Sequence, residues 1–125
     1  MRVLVTGSRD YSDRDFIRGT LNSLARYAEM SRREELELIV GDCETGADAH
    51  ARDWADDYGY EKRVFEADWA THNRAAGPRR NVRMVDEGRP DIGLAFFEPG
   101  ARNRGTKHCA DYAESKGVRV YRFAE

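Results

Sequence analysis

The sequence predicts an α/β fold: a mostly parallel five-stranded sheet with helices on both faces, forming one domain over residues 1–125. Two observations predict it. Short apolar runs rich in β-branched residues alternate along the whole chain with stretches whose apolar residues recur at helical spacing. Such a repeat packs as a parallel sheet, because each crossover is right-handed and must cover a sheet face. The second observation is length: 125 residues suffice for one core between layers and leave no room for a second domain.

Each element has its own signal. "RVLVTGS" is a buried strand stopping at the turn Gly7-Ser8, and "SDRDFIRGTLNSLARYAEM" is a helix with Ser12 and Asp15 as a capping-box-like start. Phe16, Ile17, Leu21, Leu24 and Ala28 make its apolar face. "LELIVGD" is the second strand. Thr45 caps the next helix, Ala47, Ala51, Trp54, Ala55 and Tyr58 form its inner face, and Gly59 ends it. "KRVFEA" is a shorter, more polar strand that belongs near an edge. A loop of about ten residues leads to a helix starting at Gly77-Pro78 and closed by Gly88 and Pro90. "DIGLAFF" is the fourth strand, "GTKHCADYAESKG" the last helix and "VRVYRF" the fifth strand.

Composition excludes several classes of function. A formal charge of -2 argues against a general polyanion binder, although arginine far outnumbers lysine and part of it clusters. Cys43 and Cys109 fit no CxxC or zinc spacing, and with no signal peptide they indicate a reducing, cytoplasmic setting. No apolar run approaches the roughly 18 residues of a membrane span. Nothing calls for a metal or an organic cofactor. The size is compatible with a homo-oligomer, and no patch marks its surface.

In sheets of this kind ligands bind at the carboxyl ends of the strands, so function belongs to the strand-to-helix loops "TGSRDYSD", "GDCETGAD", "ADWATHNRAAGPRRN" and "FEPGARNRGT". Glycine lets the backbone approach a ligand and aim consecutive N–H groups at an anion, and Gly7, Gly46 and Gly105 stand near three helix starts. Thr45 and Thr106 offer hydroxyls, and Arg9 and Arg80 offer charge. In "AAGPRRNVRM" the cations Arg79 and Arg80 fall, with Asn81, in the opening turn of the Pro78 helix. The macrodipole repels them there unless an anion intervenes, so a bound phosphate is expected.

Plainer readings stand beside these. Glycine after a strand commonly just makes a turn. Thr45 and Thr106 serve equally as helix caps, with Asp48 as the acidic half of a capping box after Thr45. Trp69 either stacks on a base or covers the core. His72 and His108 lack a metal-binding pattern and read as solvated. Cys109, in the first turn of the last helix and without a base partner, reads as a small buried packing residue.

At these loops the chain resembles a known family. "VTGSRDYSD", "GDCETGADAHARDWA", "ADWATHNRAAGPRRNVRMVDEGRPDIGLAF" and "GARNRGTKHCADYA" are similar, in order and over nearly the whole chain, to the YspA-type, cpYpsA-related branch of the SLOG superfamily. Ala76-Gly77-Pro78, Arg80-Asn81, Met84 and Gly105-Thr106 are the most specific parts. The resemblance implies a Rossmann-like domain whose loops bind a nucleotide or a nucleotide-derived ligand. The superfamily includes LOG-type cytokinin-activating hydrolases and the DNA-processing protein DprA.

Two departures follow from the same comparison. Where the family usually has a double glycine before its Gly-Ala-Asp, this chain has Asp42, Cys43 and Glu44 after Gly41. Arg80 matches the arginine of the LOG-type hydrolases, whereas Cys109 occupies the position of their glutamate. Arg102 to Arg104 also reshape the loop before Gly105.

The expected function is therefore a small-molecule binding or sensing domain for a nucleotide-like ligand. Its site comprises Gly7, Ser8, Arg9, Asp10, Gly46, Ala47, Asp48, Trp69, Arg80, Asn81, Gly105 and Thr106. An alternative is an N-glycoside hydrolase using Asp10, Asp42 or Asp48 in place of the glutamate. A third reading is a single-stranded nucleic-acid binder using Arg74, Arg79, Arg80, Arg83 and Trp69. The net negative charge and the lone aromatic among those arginines count against it.

Overall fold

In a computed structural model, which describes residues 1–31 and 35–125, five parallel strands lie in the order β3-β2-β1-β4-β5. They are β1 (Arg2–Gly7), β2 (Glu37–Gly41), β3 (Glu61–Phe65), β4 (Ile92–Phe96) and β5 (Arg119–Phe123). β1 is central and pairs with β2 through Val5 and Val40 and with β4 through Val5 and Leu94. The expected parallel sheet is present, with the polar strand β3 at one edge. Its first four residues are exposed.

Helices cover both faces. α1 (Arg14–Met30) packs on α2 (Gly46–Tyr58), and α4 (Ala76–Asp86) packs on α5 (Arg104–Ser115). The alternation along β1 shows the two layers: Val3 and Val5 join Ile17, Leu21 and Trp54, whereas Leu4 joins Met84, Val85 and Cys109. Trp54 is the largest fully buried side chain. It lies flat on Tyr60 at 4.7 Å and donates its indole N–H to Asn22 Oδ1 at 2.8 Å, so its one polar atom is satisfied.

Several local expectations are corrected. The cap of α1 is Asp13, whose carboxylate accepts from the Phe16 N–H at 3.0 Å, and Ser12 instead donates to Glu98. Phe16 and Tyr58, assigned to inner faces, are 42% and 57% exposed. Phe16 still meets Phe96 and Phe123 edge-on, at the flank of α1. The long third loop contains a short helix, α3 (Trp69–His72), and a 3-10 turn, Asn73–Ala75. Asp68 starts α3 by accepting from the Thr71 N–H. α4 begins at Ala76, two residues before Pro78, which leaves Arg80 in its second turn. α5 begins at Arg104, so Cys109 also lies in a second turn.

Candidate functional site

The first two loops are bonded to each other. Ala47 N–H donates to Ser8 O at 3.1 Å and Thr45 Oγ1 donates to Arg9 O at 2.9 Å. Thr45 therefore makes no side-chain cap, and Asp48 does not complete a capping box. Gly46 has φ +71°, and a Cβ there would run into Ser8 O and the Arg9 backbone; a Cβ on Gly7 would run into Ala47. These glycines let two loops meet, as well as leaving backbone near the site. The Ser8 hydroxyl accepts from the Asp10 N–H at 3.0 Å, and Arg9 and Asp10 are exposed.

A second group of residues converges on the carboxyl end of β2. Arg80, reaching from α4, donates through Nη1 to Asp42 Oδ1 at 3.0 Å and through Nε to Asn81 Oδ1 at 3.0 Å. Asp42 Oδ2 accepts from the Ala67 N–H at 3.3 Å. Asn81, buried, donates to Gly105 O at 3.3 Å and lies 3.5 Å from His108 Nδ1. Arg52 Nη1 donates to Gly41 O at 2.8 Å. Gly41 carries no side chain because the space is taken: a Cβ would lie 2.5 Å from Arg80 Nη1 and 2.6 Å from Asp48 Oδ2.

Asp48 is buried, with a long 3.4 Å bond from the Cys43 N–H. Burial pushes its carboxyl up to about 6, against the opposing pull of Arg80, the Cys43 N–H and Arg52. Arg80, set back in the second turn of α4, is thus met by the protein's own carboxylate. The expectation that a phosphate must compensate Arg80 is corrected: Asp42, 38 positions earlier, does so.

The first turn of α5 is open at Gly105, where a Cβ would touch nothing within 4 Å. Asn103 precedes it in left-handed conformation with φ 54°. Its side chain closes the β4–α5 loop by bonding Glu98 N, Glu98 O and Ala101 O, each at 3.0 Å. Thr106 is buried.

A sequence model of the YspA, cpYpsA-related SLOG family matches residues 1–72. The Gene 61 protein of Mycobacterium phage D29 is 34% identical over 129 residues, covering 99% of this chain and 97% of that protein. The chain belongs to the YspA, cpYpsA-related SLOG family.

Within this SLOG domain, Cys109 sits in the core beside Met84 and Leu4, fully buried. Burial raises its thiol to about 11, partly offset by a hydrogen bond with Thr6 and by Arg80, so it is a neutral packing group at physiological pH. The position that the resemblance matches to a glutamate faces the core here.

Beside Arg80 the SLOG domain has a cleft of about 510 Å³, whose lining includes Arg79, Arg83, His72, His108, Glu66 and Asp68. Trp69 is 52% exposed, so it is not a lid on the core; with Arg74 it lines a shallow recess next to the cleft. The expected residues therefore fall into three places. Gly7, Ser8, Arg9, Asp10, Gly46 and Ala47 belong to the fused loops, Asp48, Arg80, Asn81 and Gly105 to one polar cluster, next to which Thr106 is buried in α5, and Trp69 to the outer rim. Arg52, His108 and Asn103 are participants outside the expected set, and Asp42, expected only as an alternative hydrolytic carboxylate, is the partner of Arg80. Only Asn103 had a local signal, the tolerance of asparagine for left-handed backbone. Among the described residues no group of histidine, cysteine and carboxylate side chains could hold a metal ion, and no helix is long and apolar enough to cross a membrane.

Proposed function

We propose that this SLOG domain binds a nucleotide or a nucleotide-derived small molecule at the carboxyl edge of its sheet, and senses it rather than transforming it. One observation carries the reading: Asp42, Asp48, Arg80, Asn81 and Gly105, from four separate segments, meet over the end of β2. Asp48 and Asn81 are buried and Asp42 and Arg80 half-buried, and polar groups held together in this way are preorganised donors and acceptors, which suits a ligand of sugar and phosphate. The open first turn of α5 at Gly105 and the arginine-lined cleft give such a ligand room on either side. The family and its nucleotide-handling relatives support the same class of ligand.

Mass spectrometry of small molecules released from the purified protein tests this directly. A panel of nucleosides, mononucleotides and dinucleotides, read by thermal shift, is the complement. Ligand at 100 times its dissociation constant should add about 2.7 kcal/mol of stability. Arg80→Ala should abolish that gain while the protein remains folded, and absence of any shift across the panel would refute the reading.

A second reading, N-glycoside hydrolysis, is favoured by Asp48 alone, a buried carboxyl near Arg80 with its proton held to about pH 6. Chromatography of adenosine, guanosine and cytidine monophosphates incubated with the protein decides between the two. Release of free base, lost in Asp48→Asn, would establish the enzyme.

A further inference from the structure

We propose that Asp42 determines what Arg80 accepts: by holding the guanidinium on an internal carboxylate, it makes this part of the site a place for uncharged hydroxyls and excludes phosphate. The hydroxyls are those of a ribose, an assignment that rests on the nucleotide reading above.

The geometry of the guanidinium carries the argument. An arginine grips a phosphate with two parallel N–H groups along one edge of its fork. One edge of Arg80 contains Nε, which is bonded to Asn81 Oδ1, and the edge between the terminal nitrogens contains Nη1, which is bonded to Asp42 Oδ1. Each edge therefore contains a nitrogen that already has an internal partner. Asp48 Oδ2 approaches the same point above Gly41, so two carboxyl groups confront one guanidinium, and the nearby Arg52 is bonded to Gly41 O. A phosphate gripping either edge would share a nitrogen already bonded inside the protein and add negative charge beside Asp42 and Asp48. A hydroxyl differs because it both accepts and donates. It can take an N–H from Arg80 and give its own hydrogen to Asp42, leaving every existing partner in place.

The anionic part of the ligand then lies away from β2. The adjacent cleft is suited to it, since Arg79 and Arg83 line it and both are exposed at its wall. Asp42 is also free of a necessary role in folding α4. It touches Arg80 at its end and Ala67 N at its other oxygen, which an asparagine can retain.

The test is a titration with inorganic phosphate and pyrophosphate, followed by phosphorus NMR, of the full chain and of Asp42→Asn, Arg80→Gln and the double variant. In the unmodified protein Arg80→Gln should leave both affinities within about two-fold. Asp42→Asn should raise them by about ten-fold or more, the size of one released charge-assisted hydrogen bond, and Arg80→Gln in that background should cancel the gain. Asp42→Ser, lacking the amide, repeats the measurement should Asp42→Asn fail to fold. A ten-fold loss on Arg80→Gln in the unmodified protein, or no gain in either Asp42 variant, overturns the proposal. These probes contain no nucleoside, so failure of the nucleotide reading would show separately, as absence of adenosine and adenosine monophosphate binding alongside an intact phosphate result.

Discussion

Asp48 and Arg80 come from helices on opposite faces of the sheet, yet both end above Gly41, with Asp48 Oδ2 and Arg80 Nη1 respectively 2.6 and 2.5 Å from where a Cβ would stand. Gly41→Ala should therefore separate them without breaking the fold, because the clashing atoms are ends of side chains. We expect a stability loss of about 1–2 kcal/mol in denaturant titration and a larger proportional loss of ligand affinity. Gly46→Ala should behave in the opposite way. Its added Cβ meets backbone at a left-handed residue, so unfolding should be easier by about 3 kcal/mol or more.

Asp48 should make stability depend on pH. Its folded carboxyl titrates near 6 and its unfolded one near 3.8, so the unfolded chain loses this proton first as pH rises. Stability therefore falls between about pH 4 and 6 and stays lower above that window. Asp48→Asn should match the parent below pH 4 and exceed it at pH 7 by up to about 3 kcal/mol, as measured by chemical denaturation across that range. An Asp48→Asn protein less stable at pH 7 than at pH 4 relative to the parent would show that the carboxylate is held by its cations.

Cys109→Glu should not create a hydrolase. The side chain would enter the layer formed by Leu4, Met84 and Val85 and bury an unpaired carboxylate, at about 3 kcal/mol or more. Correspondingly, iodoacetamide at neutral pH should label the half-exposed Cys43 and leave Cys109 intact until the protein unfolds, as peptide mass mapping would report.

The fold was legible because each strand carries its own signal: Val3, Leu4 and Val5 run apolar, Lys62 and Arg63 mark an edge, and Gly59 stops a helix in left-handed conformation. The site was less so. Nothing near Arg80 in the chain announces Asp42, since their pairing is made by the sheet, which brings the end of β2 under α4. Ser12 and Asp13 are both able caps, and only the observed bond to the Phe16 N–H separates them. The third loop read as irregular because its helix is a single turn, too short for periodicity to register.

Nucleic acid should bind weakly and only at low salt. Arg74 lines the recess where Trp69 is half exposed and Arg79 and Arg83 line the adjacent cleft, enough for stacking and phosphate contact but on a chain of net negative charge. Anisotropy with a single-stranded oligonucleotide should show affinity falling with salt at a slope of about -0.7 per neutralised phosphate. Tight binding at physiological salt, lost in Trp69→Ala, would revive the nucleic-acid reading.

The bonds from Ala47 to Ser8 and from Thr45 to Arg9 have a kinetic consequence. On the proposed nucleotide reading these two loops are walls of the site that are ordered before the ligand arrives, so association would carry no entropic cost there. Amide hydrogen exchange should separate the walls. The Ala47 amide, buried and held across two loops, should exchange only when the whole domain opens, whereas the amide of Thr71, tied to the exposed Asp68, should exchange by fraying of a single turn. On the same reading the α3 side is the wall that opens more easily, and the glycine loops are the fixed jamb opposite it.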